Sequence, residues 1–189
     1  MNFMRAGGDS SRILSKIIEL LKSKKGGVKK NATEEKKVDG YKIEFVSGVY
    51  TAETPLGRIV TKPTKDKIDC FFSALLPYIK DEFAQRFPAF TPAGKEKAVT
   101  AKRLRSYFEK KYDGKDDKMI NISDATKFAA DFNIYLFIVD ENGNLINGGK
   151  LDSTAPDNFK VATILLYKNH YFTLYSKNID RARLLIVLR

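Results

Sequence analysis

Apolar residues recur along the chain in two rhythms, one helical and one alternating, and their order sketches the fold. Ile13, Leu14, Ile17, Ile18 and Leu21 fall at helical spacing, with Arg12, Lys16, Glu19 and Lys22 between them. The N-cap candidates Asp9, Ser10 and Ser11 stand just before them. This predicts an amphipathic helix of about four turns whose apolar stripe docks on the rest of the protein. The pattern then stops. From Lys22 to Gly40 the chain is a run of charges around Gly26 and Gly27, including Lys24, Lys25, Lys29, Lys30, Glu34, Glu35, Lys36 and Lys37, which reads as a flexible linker. The expected organisation is an N-terminal helix and linker over residues 1–40 and a folded domain over residues 41–189.

Within that domain Tyr41, Ile43 and Phe45 alternate with Lys42 and Glu44, the pattern of a half-buried strand. Ser47-Gly48 allows a turn, Val49 to Ala52 can pair back, and Ile59-Val60 follows Pro55 and Gly57 as another short strand. From Cys70 the rhythm is helical, with Phe71, Ala74, Leu75, Tyr78 and Ile79 on one side; Pro77 is expected to kink or shorten this helix. Residues 96–112 read as a second helix with Val99, Leu104, Tyr107 and Phe108 on its apolar side and basic residues opposite. Ser123 is expected to cap a third, carrying Ala125, Phe128, Ala129 and Phe132. Ile134 to Val139 is a continuous apolar run, the mark of a strand buried on both faces, and Asn142-Gly143 is a hairpin signal. Ala162 to Tyr167, a tight turn at Lys168-Asn169, and His170 to Tyr175 add two strands, and Leu184 to Leu188 would add one more. Helices first and strands after them predict an α+β domain.

Composition narrows the partners. The net charge is +11, and residues 1–40 hold ten basic and five acidic side chains. Such a segment can contact an anionic membrane or nucleic acid, although a solvated lysine-rich surface is the plainer reading. No apolar run reaches the roughly 20 residues that cross a bilayer, and no signal peptide is visible. A soluble, cytoplasmic, monomeric protein is the expectation. The single cysteine excludes an internal disulfide, and with a single histidine it excludes a zinc site of the usual Cys/His kind; no cofactor is expected.

The two singletons carry the candidate chemistry. Cys70 stands at the start of the helical pattern, behind the N-cap candidate Asp69, where the positive helix end favours a thiolate. Backbone N–H groups of Cys70 and of the preceding loop, Lys67 included, can face a developing oxyanion. His170 opens a strand just past a tight turn, where an imidazole can reach a neighbour. The plain alternative is that Cys70 is a small buried hydrophobe among phenylalanines and His170 a packed or surface residue.

Cys70-Phe71-Phe72-Ser73-Ala74-Leu75 resembles the nucleophile motif of the ovarian-tumour (OTU) family of cysteine proteases, and Asn169-His170-Tyr171 resembles its histidine motif. The basic helix, the following helix and the buried strand between them stand in family order, over about residues 60–176. The resemblance implies a papain-like, OTU-type α+β fold, a helical lobe on a small mixed or antiparallel sheet. It also implies a cysteine peptidase that cleaves after the C-terminal Gly-Gly of ubiquitin or a ubiquitin-like protein. Divergence of this degree points to a viral or bacterial-effector member acting in a host cytoplasm. Lys25-Gly26-Gly27 resembles a site such an enzyme would cut in its own polyprotein. Two departures matter. Lys67 replaces the family's acid three residues before the nucleophile, and Phe172 stands where an Asp or Asn would orient the imidazole. The working model is a Cys70–His170 dyad, with Asp66, Thr173 and Asn178 as candidates for a third member. The competing readings are a papain-like protease with a non-ubiquitin substrate and a non-catalytic basic interaction module.

Overall fold

The computed structural model of the 189-residue chain describes residues 8–23, 33–62, 67–88, 99–112, 119–147 and 159–175. In chain order the elements are α1 (Gly8–Ser23), β1 (Glu34–Val38), β2 (Tyr41–Val46), β3 (Val49–Thr54) and β4 (Gly57–Thr61). A 3-10 turn at Lys67–Asp69 leads into α2 (Cys70–Arg86), followed by α3 (Ala101–Tyr112) and α4 (Ile122–Ala130). The chain then forms β5 (Ile134–Val139), β6 (Leu145–Asn147), β7 (Lys160–Tyr167) and β8 (His170–Tyr175). All eight strands form one mixed sheet in the order β1-β2-β3-β4-β8-β7-β5-β6, in which only β5 and β7 pair in parallel. The fold class is α+β, as the patterning predicts, and the sheet is mixed, though larger than expected.

The two faces of the sheet bury separate cores. On one, α2, α3 and α4 set Phe71, Leu75, Ile79, Phe83, Leu104, Phe128 and Phe132 against Leu136, Ile138, Ala162, Ile164 and Tyr171. On the other, Leu14, Ile17, Ile18 and Leu21 of α1 pack on Ile43, Phe45, Tyr50, Ile59, Leu165, Phe172 and Leu174. Neighbouring residues of β7 and β8 therefore enter opposite cores, which is the period-two alternation of a strand covered on both sides. This explains the unbroken apolar runs of the C-terminal half.

Two-residue hairpins fix the register, and three of them share one geometry. Asp39-Gly40, Ser47-Gly48 and Lys168-Asn169 all carry positive φ at both positions, the handedness that matches the strand twist. Gly40 and Gly48 adopt it without strain. The first hairpin corrects the linker expectation: Glu34–Val38 is a strand, paired with β2 from Glu34↔Phe45 to Val38↔Tyr41. Its side chains are charged because it lies at the sheet edge, where a solvated row of Glu and Lys discourages further pairing. With α1 docked and β1 paired, both belong to the same sheet and core as the residues after Tyr41. The apolar stripe of α1 is spent on the sheet, so a membrane contact through that stripe would first have to peel the helix away. Among the described residues no helix is long and apolar enough to cross a membrane.

Other boundaries shift for identifiable reasons. Pro77 neither ends nor shortens α2, which runs on to Arg86. A helix-interior proline costs about 3 kcal/mol. Phe71, Leu75, Ile79 and Phe83, spaced by four and all fully buried, each contribute roughly 1.5–3 kcal/mol and outweigh it. The second helix begins at Ala101, Val99 and Thr100 before it being non-helical, while residues 96–98 of the expected span lie outside the described residues. Asn121, not Ser123, caps α4, its side chain accepting from the Asp124 N–H at 2.9 Å. The strand expected at Leu184–Leu188 lies outside the described residues.

The docking of α1 is open to a direct test. Leu14 and Ile17 are fully buried. Truncating either to alanine is expected to cost about 2–5 kcal/mol in a denaturant melt. A helix merely tethered to the domain would show no such loss.

Candidate active site

β4 and β8 pair only from Arg58↔Tyr175 to Val60↔Thr173. Beyond that rung a small pocket opens between them, and the N-terminus of α2 enters it. Cys70, Ser73 and Ala74 line it from the helix, and Val60, Thr61 and Lys62 from β4. His170 and Tyr171 line it from the start of β8. Only this parting of the strands lets the two singletons share a pocket. By alternation His170 falls with Phe172 on the α1 side of the sheet, whereas Cys70 comes from the helical side.

The thiol is held in a particular way. Cys70 is 2% exposed, and burial pushes its pKa up, because a thiolate there loses its hydration. Backbone N–H groups of Tyr171, Phe71 and Cys70 itself act in the other direction by donating to the sulfur, while the charge of Asp69 adds to the rise. The balance is a neutral thiol at neutral pH, already surrounded by amide donors. Tyr171 anchors this arrangement from below. Its phenol, pushed up to about 12 by burial and then by the proximity of Cys70, donates to the Ile120 carbonyl at 3.2 Å.

Asp69 occupies the position expected of it but not the role. It is helical in its own dihedrals (φ −84°, ψ −4°) and its side chain makes no capping bond to α2. Instead its Oδ1 lies 3.2 Å from Nη1 of Arg105 on α3. The contact is an ion pair. Arg105 was unreadable as a site residue in the sequence. It belongs to the basic side of α3, yet its side chain is only 17% exposed and pairs also with Glu109 at 3.3 Å.

The rings of His170 and Phe172 lie 4.5 Å apart at 54°, so Phe172 supports the imidazole through ring contact. Thr173 lines the pocket as well, and its hydroxyl donates to the Ala74 carbonyl at 2.7 Å, clamping α2 to β8. Asp66 and Asn178 lie outside the described residues. Lys67 opens the 3-10 turn that leads into Cys70. Thr173→Val is expected to cost about 1–2 kcal/mol of stability, since it leaves a buried carbonyl short of a donor, and to leave turnover unchanged. Paired denaturant melts and rate measurements check this, and a fall in rate without a fall in stability would assign Thr173 a part in the chemistry.

Comparison with family models, with curated proteins and with solved structures returns no match.

Proposed function

We propose that this protein is a cysteine peptidase of the OTU type, acting on isopeptide or peptide bonds that follow the Gly-Gly tail of ubiquitin or a ubiquitin-like protein. One observation carries the reaction type: the only thiol and the only imidazole of the chain, far apart in sequence, line the same pocket at a helix start and a strand start. The order and spacing of the two motifs support the family, and a narrow pocket suits a glycyl backbone better than larger side chains.

The chemistry follows from the arrangement. Cys70 rests as a neutral thiol, so His170 must remove its proton as the scissile carbonyl arrives. The Sγ electron pair then forms the C–S bond, and the carbonyl oxygen takes up negative charge near the first-turn amides of α2. Collapse of this intermediate breaks the C–N bond. The imidazolium gives its proton to the departing amine, and water, deprotonated by the same imidazole, releases the acid from the thioester.

Ubiquitin bearing a C-terminal propargyl group tests the reading. Labelling of the wild-type chain that is lost in Cys70→Ala supports it. Cleavage of some other peptide that depends on Cys70, without labelling, moves the substrate away from ubiquitin. A second reading, a non-catalytic module in which Cys70 is a core residue, is favoured by the depth of its burial and its raised pKa. It is the reading that survives if Cys70→Ala and His170→Ala leave every activity intact.

A further inference from the structure

A buried carboxylate beside a nucleophilic thiol is an unfavourable neighbour, because two negative charges then compete in a poorly hydrated place. Asp69 precedes Cys70 directly and is 7% exposed. The group held against it is the Arg105 guanidinium, 3.2 Å away, itself steadied by Glu109 one turn further along α3. We propose that Arg105 is a positioning residue for Cys70: by neutralising Asp69 and fixing α3 against the start of α2, it keeps the adjacent thiol ionisable. The inference rests on the reading of Cys70 as a nucleophile.

The other titratable groups described around the thiol stand on its pocket side. His170 and Tyr171 approach from β8 and Lys62 from the end of β4, all lining the pocket side. Tyr171 stays neutral through the assay range because burial raises its phenol to about 12. Lys62 is exposed, so water screens its charge. Asp69 meets its countercharge from α3, a helix that contributes no residue to the pocket lining, which is why Arg105 acts through Asp69 and not on substrate.

The sequence makes the test clean, because Cys70 is the only thiol in the chain and iodoacetamide therefore reports on it alone. The full-length protein and its variants are alkylated across a pH series. Arg105→Gln is expected to move the alkylation midpoint to higher pH and to slow the reaction severalfold at neutral pH. Asp69→Asn is expected to move the midpoint to lower pH, the double variant to return toward wild type, and Arg105→Lys to stay near it. A purely structural ion pair predicts something else, since breaking it from either side would loosen the helix start and speed alkylation in both single variants. That result overturns the proposal, as does an unchanged midpoint in a folded Arg105→Gln protein. If Arg105→Gln does not fold, Asp69→Asn decides alone, and an unchanged midpoint there overturns it. Alkylation needs no turnover, so the ubiquitin probe judges the hydrolase reading separately. Opposite midpoint shifts without labelling would leave the ion pair's role standing and remove the hydrolase.

Discussion

Cys70→Ala is expected to abolish hydrolysis, a loss of about 10⁴-fold or more, because it removes the one thiol that lines the pocket. His170→Ala is expected to cost about 10²–10⁴-fold, the usual contribution of a positioned general base. The second loss depends on pH in a direction the structure sets. The Cys70 thiol is raised by burial, so its thiolate fraction grows only as pH climbs into the alkaline range. Without the imidazole, the rate should recover partly toward high pH as solvent takes over the deprotonation, while Cys70→Ala should recover nowhere. Stability responds with the opposite sense. A thiol whose folded pKa is raised contributes nothing adverse below its unfolded pKa, and the fold loses stability as pH rises through the folded value. Cys70→Ala removes that alkaline loss, at the cost of a small cavity. Rate–pH profiles and melts at pH 7 and 10 read both effects, and residual turnover in a folded Cys70→Ala protein would end the nucleophile proposal.

How far the sequence could carry this site is best judged residue by residue. Cys70 and His170 were legible because each is the only one of its type, and because a helical rhythm begins at one and a strand at the other. Their sharing of a pocket was not legible, since it depends on where the β4–β8 ladder stops, at Val60↔Thr173. Arg105 was hidden for a related reason: it sits among basic residues that elsewhere on α3 are solvated, and only the tertiary approach of α3 to Asp69 singles it out. β1 was missed because edge strands carry charge for protection, which makes Glu34–Val38 resemble a linker in composition. The patterned elements, α1, β2 and β5 among them, were readable since burial of one face or of both imposes a period. Pro77 shows the converse, a local rule overridden by four buried side chains on the far side of the same helix.

The largest loss of stability is expected from Phe128→Ala. Phe128 is fully buried at the meeting point of three helices, its ring 5.5 Å from Phe72 on α2, 5.7 Å from Phe108 on α3 and 5.4 Å from Phe132, just past the end of α4. All three contacts are edge-on, the arrangement in which ring edges meet ring faces, so neighbours cannot close the gap without losing their own geometry. Removing a ring from such a place costs about 3–5 kcal/mol. Domains of ordinary size have only about 5–15 kcal/mol in total. The corresponding fall in melting temperature is roughly 6–20 °C for a chain of this length. The consequence reaches the site, because Phe72 and Phe71 belong to the first turn of α2 and carry Cys70 on the same backbone. Phe128→Ala should therefore speed alkylation of Cys70 at fixed pH by freeing the helix start, without the shift in midpoint expected of Arg105→Gln. Phe128→Leu, which keeps most of the volume, should lose less on both measures. A Phe128→Ala protein that melts within about 0.5 kcal/mol of wild type would show that the aromatic cluster does not hold α2 in place.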